Sequence, residues 1–289
     1  MTIASFLLVF FAFALGITIS LISPYIRKVT NCYFFWAGIS IILIIYEIYF
    51  RFGNDFSKAF AAIDNKNTTD TIVFSKGFLL DLCPFTGLFI PVFLILDPTR
   101  RLAASLAPFA IFGGIITLVC QIMTNSDGDV EFSTKYIFEG IQPNPIYYML
   151  HVINLVLGMF VLANVPSMKF KGAMYCCVFI LLYFMYVIVM INIFKVDYNV
   201  TGLTGNDWIN GEYSSVSNVL NLPFPTVMYV GYIAITLFIV GVVVLQSFIN
   251  SRKHFKITYA PKKFIDIYKL SNLLNTYECV CDKIQKKHK

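Results

Sequence analysis

The sequence predicts an all-α fold: a polytopic membrane bundle of about seven transmembrane helices, with the N-terminus outside and the C-terminus inside. Three observations carry this. The chain is 58% hydrophobic and only 13% charged, whereas a soluble domain has about a quarter charged residues. Apolar stretches of about 20 residues, enough to cross the hydrocarbon core, recur along its length. Lys and Arg are unevenly divided between the connections, which fixes orientation by the positive-inside rule.

The spans fall near 2–24, 31–50, 77–97, 102–124, 145–165, 173–194 and 225–249. The opening stretch, MTIASFLLVFFAFALGITISLIS, has no basic start and no small-x-small cleavage site. It reads as a retained first span rather than a signal peptide. Short connections join spans three to four and five to six. The loops 52–76, 125–144 and 195–224 are longer and rich in Asn, Asp, Gly, Ser and Thr, which marks irregular structure. In the first of these loops, Phe56, Phe60 and Ile63 have the spacing of a short interfacial helix.

The three tight turns carry Arg27, Lys28, Arg100, Arg101, Lys169 and Lys171 against one acid, Asp97. The long connections, counted from Arg51, spread six Lys/Arg among ten acids. The tight turns and the tail are therefore expected inside, and the long loops outside. The chain divides into a membrane domain, 1–249, and a basic tail, 250–289, with ten Lys/Arg against three acids. Phe264, Ile267, Tyr268, Leu274 and Tyr277 lie at mainly helical spacing in the tail. With Lys262, Lys263 and Lys269 they read as an amphipathic helix on an anionic inner leaflet. Cys279 and Cys281 are then lipidation candidates. The alternative is a solvated basic helix with ordinary thiols.

Membrane lipids are thus the expected partners and the cell membrane the expected location. The chain has no CxxC pair, no Cys/His zinc pattern and no Gly-rich phosphate loop. Neither a metal nor another cofactor is expected, nucleotide-driven chemistry is unsupported, and nothing points to nucleic acid. An Ile-, Phe-, Asn- and Lys-rich composition favours a bacterial source. The sequons at Asn67 and Asn199 matter only in a glycosylating host.

Polar groups gather at one depth. The stretch FLLDLCPFTGLF (78–89) holds Asp81, Cys83 and Pro84 inside the expected third span. Cys83 lies about six residues, or roughly 9 Å, from the outer end of its span, and His151 lies about as deep in the fifth. Glu47, Gln121 and Asn192 close spans two, four and six, and Asn154 follows His151 by one turn. Intramembrane ionisable residues mark functional sites by default. Pro84 lacks an N–H, so the Leu80 carbonyl loses its helical partner and the helix bends or opens beside Cys83. Cysteine beside histidine is a nucleophile–base pair. Asp81 or Glu47 then orients the imidazole, and Asn192, Gln121 or Asn154 supplies hydrogen bonds to a developing oxyanion. Against this stand a packed thiol, a structural histidine, a plain proline kink and a simple Glu47–Arg51 ion pair at the interface.

The segments FLLDLCPFTGLFIPVFLILDPTRRLAASLAPFAIFGGIITLV, IYYMLHVINLVLGMFVL, INIFKVDYNVTGL and LNLPFPTVMYVGYIAI resemble, in order and spacing, the YwaF-type bacterial integral membrane family over roughly residues 30–249. That family is similar to a eukaryotic ether-phospholipid acyltransferase family and, more distantly, to androgen-induced-gene-type lipid hydrolases. The resemblance implies an acyl-accepting Cys83 with His151 as its base. Asp81 and the Asp197-Tyr198 pair depart from the family's usual residues.

Three functions follow as expectations. The first is a lipid acyltransferase or hydrolase using Cys83 and His151. The second is a transporter or solute-binding membrane subunit using the same polar pocket without covalent catalysis. The third is a receptor or scaffold in which the polar layer is interhelical glue.

Overall fold

The computed structural model describes residues 3–52, 74–123, 133–141, 144–211, 213–252 and 257. The long helices are α1 (Ile3–Ile22), α3 (Tyr33–Glu47), α4 (Leu82–Leu96), α5 (Arg101–Ile116), α7 (Tyr147–Ala163), α8 (Lys169–Phe194) and α11 (Thr226–Ser251). Shorter ones are α2 (Arg27–Thr30), α6 (Thr134–Phe138), α9 (Gly205–Ile209) and α10 (Ser214–Leu220). A two-residue antiparallel pair, β1 (Gly140–Ile141) with β2 (Asn144–Pro145), fastens the loop before α7. The fold is an all-α bundle.

Among the described residues, six stretches are long and apolar enough to cross a membrane: Ile3–Ile22, Tyr33–Arg51, Phe74–Leu96, Arg101–Val119, Lys169–Phe194 and Thr226–Ser251. The fifth expected span, α7, is apolar but has only 17 residues. At about 1.5 Å per residue it is about 25 Å long, at the lower limit for a span.

α5 and α7 form the centre, with α4, α1 and α3 packed around them. Glycine on each central helix lets the backbones close in. A Cβ added at Gly114 would stand 2.8 Å from the His151 carbonyl oxygen, and one at Gly158 would stand 3.0 Å from that of Ala107. Trp36, Ile90, Leu94, Ala107, Leu155 and Val161 fill the space between. By contrast α8 and α11 leave large apolar side chains exposed, among them Leu181, Met185, Ile233 and Leu237. An apolar belt of this kind suits lipid rather than water.

The end of the bundle that carries the cationic turns is more polar than the sequence suggested. Arg100 is buried, donates from Nη1 to the Thr30 carbonyl at 2.6 Å and lies 5.4 Å over the Trp36 ring. Trp36 Nε1 donates to the same carbonyl at 2.6 Å. Gln246 accepts from the Met168 N–H at 3.0 Å, and Asn250 donates to the Val165 carbonyl at 3.0 Å. Gln246 and Asn250 are one turn apart on α11, so their face was legible and was missed.

At the opposite end the third span differs from the expected continuous helix over 77–97. A helical turn at 74–77 breaks off, Leu79 takes a left-handed φ of 57°, and α4 begins afresh at Leu82. Asp81 is its N-cap, with Oδ1 accepting from the Leu82 N–H at 2.8 Å. Pro84 is therefore the third residue of a helix rather than a kink inside one, and its missing N–H costs nothing there. Asp followed by Pro is a start signal, and it prevailed over the unbroken apolarity. The Leu80 carbonyl does need a partner, and Thr201 Oγ1 donates to it at 2.8 Å.

Thr201 belongs to a loop wound about Asp207. The Asp207 carboxylate accepts from the backbone N–H groups of Asn199 (2.6 Å), Val200 (2.9 Å) and Gly202 (2.8 Å). Burial pushes its carboxyl up to about 6, against those three hydrogen bonds, which pull it down. Asn199 is 3% exposed, so it is not a glycan acceptor in this fold. The Asn67 sequon, the expected helix around Phe56, Phe60 and Ile63, and the tail with Lys262, Lys263, Lys269, Cys279 and Cys281 lie outside the described residues.

Candidate functional site

Chain connectivity brings the end of the second span and the starts of the third and fifth to one end of the bundle. By the charge pattern this is the outward end. A cleft opens there, lined by Arg51, Lys76, Asp81, Pro84, Tyr147, Leu150 and His151. The space outside protein atoms is about 260 Å³ and runs into open solvent, while the enclosed part has room for about one water molecule.

Arg51 is the unusual member. α3 ends at Glu47 and continues as a π-helical segment, Ile48–Phe52. π turns bond i to i+5 and recur at functional sites. The wider turn means that position i+4 no longer stacks over i, and the alternative reading of Glu47, an ion pair with Arg51, is not met. Arg51 is 3% exposed, and its Nε and Nη1 have no hydrogen-bond partner among the described residues. Glu47 is 1% exposed, and both of its carboxyl oxygens are likewise unpartnered there. Its Oε1 points at Gly87 of α4, where an added Cβ would stand 2.5 Å away. An unpaired buried charge is costly and calls for an explanation.

His151 is buried in the wall of the cleft. Its Nδ1 lies 2.6 Å from the Tyr147 carbonyl, which can only accept. That fixes the proton on Nδ1 and leaves Nε2 as an acceptor, or as a donor once protonated. The Tyr147 ring stands edge-on to the imidazole at 4.9 Å. Lys76 and Asp81 complete the polar rim, with Asp81 held by its capping bond.

Cys83 takes a different place. It is buried with Ile146 and Leu150 in an apolar cluster beneath the cleft and does not line it. Its Sγ faces α5, where a Cβ added at Gly113 would stand 2.6 Å away. Cys83 and His151 thus lie on neighbouring helices, with the thiol seated against Gly113 and the imidazole in the cleft wall. Asn154 ties these helices together, donating from Nδ2 to the Cys83 carbonyl at 2.9 Å, with Thr86 Oγ1 3.3 Å from its Oδ1. It is interhelical glue rather than an oxyanion donor.

Asn192 is a correction. It is exposed on α8 and donates to its own helix at the Ile188 carbonyl, 2.8 Å away, so it contributes nothing to the cleft. The Gln121 side chain lies outside the described residues. Lys76 and Tyr147 were not anticipated as site residues, because one sits in a loop and the other at a helix start. Arg51 was seen only as the partner of Glu47. Among the described residues no three His, Cys, Asp or Glu side chains come together to hold a metal ion.

Two relatives show similarity over most of their lengths. The uncharacterized protein MG135 of Mycoplasma genitalium is 28% identical over 253 residues, covering 85% of this chain and 89% of that one. The uncharacterized MG135 homolog of Mycoplasma pneumoniae is 32% identical over 210 residues, covering 69% of this chain and 73% of the other. No solved structure matches. The family model that matches residues 6–270 is described as a family of unknown function, DUF5378, and the chain belongs to that family.

Proposed function

We propose that the protein is a multi-pass cell-membrane protein that captures a phosphate-bearing anion, either a free solute or a lipid headgroup, in the cleft at its loop end, without covalent catalysis. The observation that carries this is Arg51, a buried guanidinium in the cleft wall whose Nε and Nη1 lack partners among the described residues. A guanidinium fork matches phosphate oxygens bidentately. Lys76 adds positive charge, and His151, once protonated, would donate a second hydrogen bond from Nε2. An anion would supply the hydrogen bonds that Arg51 lacks.

The test is ligand-dependent stability of the full chain in neutral detergent. Inorganic phosphate and micelles containing phosphatidylglycerol are compared with phosphatidylcholine alone. A true ligand at a hundred times its Kd raises stability by about 2.7 kcal/mol. Stabilisation by phosphate identifies a solute site, and stabilisation by phosphatidylglycerol alone identifies a headgroup site. Either must vanish in Arg51→Met. No stabilisation, or the same stabilisation in the variant, overturns the proposal.

One observation favours the acyl-transfer reading. Cys83 is the second residue of α4, and a helix N-terminus favours thiolate. This agrees with the proposed likeness to the YwaF-type family. An acyl-chain probe that labels the protein but not Cys83→Ala would support it. The thiol's seat against Gly113 makes binding the better reading.

A further inference from the structure

Glu47 does not line the cleft. It is the buried group directly beneath, one turn before Arg51, with neither oxygen hydrogen-bonded among the described residues. Gly87 leaves room for it, since a Cβ there would stand 2.5 Å from Oε1 and 2.7 Å from Leu150 Cδ1. The carboxyl is therefore packed between α3, α4 and the Leu150 turn of α7, and it forms no ion pair among the described residues.

The charges around it can be counted. Arg51 and Tyr46 lie on its own chain segment, with Glu139 in the loop near Tyr46. Lys76, Asp81 and Cys83 lie at the entry to α4, and Tyr147 and His151 at the start of α7. Among the described residues, cleft and floor together hold two cations, Arg51 and Lys76, against two carboxyls, Asp81 and Glu47, so the charges of these four side chains cancel when both carboxyls are ionised. A bound anion makes the site negative in a setting of low dielectric, where net charge is expensive. Asp81 already accepts a hydrogen bond from the backbone N–H that it caps. Glu47 has no such bond and can accept a proton without breaking one.

We propose that the cleft takes up its anion together with a proton, and that Glu47 is where the proton goes. The site is then built for proton-coupled anion binding, the coupling that a proton-driven uptake protein needs. The inference rests on the anion-binding reading above. In the combined step one anion and one proton enter, Glu47 becomes a neutral carboxylic acid, and no covalent bond to the anion forms.

The test is sulfate affinity of the full chain in detergent between about pH 5 and pH 8, a range in which sulfate does not change its own charge. Proton uptake is measured alongside by calorimetry in buffers of different ionisation enthalpy. Linkage to one proton weakens binding by about tenfold per pH unit over the window in which Glu47 loses its proton. Glu47→Gln should bind sulfate with a flat profile and no proton uptake. Saturable binding that is pH-independent in the native protein, with no proton taken up, overturns the coupling and leaves the anion site standing. A slope that persists in Glu47→Gln and disappears in His151→Gln moves the proton to His151 and also overturns it. Absence of sulfate binding at every pH overturns proton-coupled uptake of a free anion and leaves only the headgroup form of the anion site. Proton uptake in the native protein is decisive even if Glu47→Gln does not fold.

Discussion

Replacing Gly113 by Ala puts a methyl where the Cys83 sulfur now sits. The added Cβ would lie 2.6 Å from Sγ, against about 3.5–4.0 Å for a comfortable contact. About 1 Å has to be found. The main chain at Cys83 is held by the Asn154 amide at 2.9 Å, so it yields little. Overpacking of this kind costs roughly 1–3 kcal/mol, partly offset by about 1 kcal/mol from exchanging Gly for Ala in a helix. Cys83→Ala alone should cost about 1 kcal/mol for one buried sulfur and the small void it leaves. In the double variant the methyl added by Gly113→Ala enters that void. It should be no less stable than Cys83→Ala, giving a coupling of about 1–3 kcal/mol. The assay is thermal unfolding in detergent for the native protein, both single variants and the double variant. Effects that add within about 0.5 kcal/mol would mean that the thiol does not face Gly113. Its exclusion from the cleft would then have no basis.

The other predictions concern the supports of the cleft. Thr201→Val leaves the Leu80 carbonyl without its donor and should cost about 1–3 kcal/mol, whereas Thr201→Ser should be near neutral; equal losses would show that the hydroxyl is not what matters. Asp207, with its carboxyl raised to about 6 from an ordinary 3.8, contributes stability that is full below about pH 4 and is lost as pH rises through about 6. Melting curves of Asp207→Asn should lack that slope, and an unchanged slope would assign it to another group. Asn154→Leu should cost about 1 kcal/mol through loss of its link to Cys83 while phosphate affinity stays within about twofold. A large loss of affinity would put Asn154 in the site.

Much of the bundle was readable because apolar runs and cationic turns are direct consequences of a lipid solvent. The cleft was readable in part. Asp81, Pro84 and His151 were singled out as awkward in hydrocarbon, and all three line it. Other features depended on information that spacing does not carry. The i, i+4 interval from Glu47 to Arg51 left an ion pair open as the alternative reading, but a π turn separates them, and nothing in the residues IYFRF announces an i→i+5 bond. Equal depth of Cys83 and His151 said nothing of rotation about each helix axis, which is what turns the thiol onto Gly113. Asn192 shows the same limit, since the end of α8 is at the right level but faces outward. Pro84 was misread for a different reason: its effect depends on where the helix begins, and the cap at Asp81 sets that start just before it.

The most direct test is to locate a heavy oxyanion. In a crystal structure of the full chain with selenate, anomalous density should lie about 3 Å from the Arg51 guanidinium, within reach of His151 and Lys76, and should be absent in Arg51→Met. Density confined to the exposed basic turns, with the cleft empty and Arg51 still unpartnered, would contradict an anion-binding cleft.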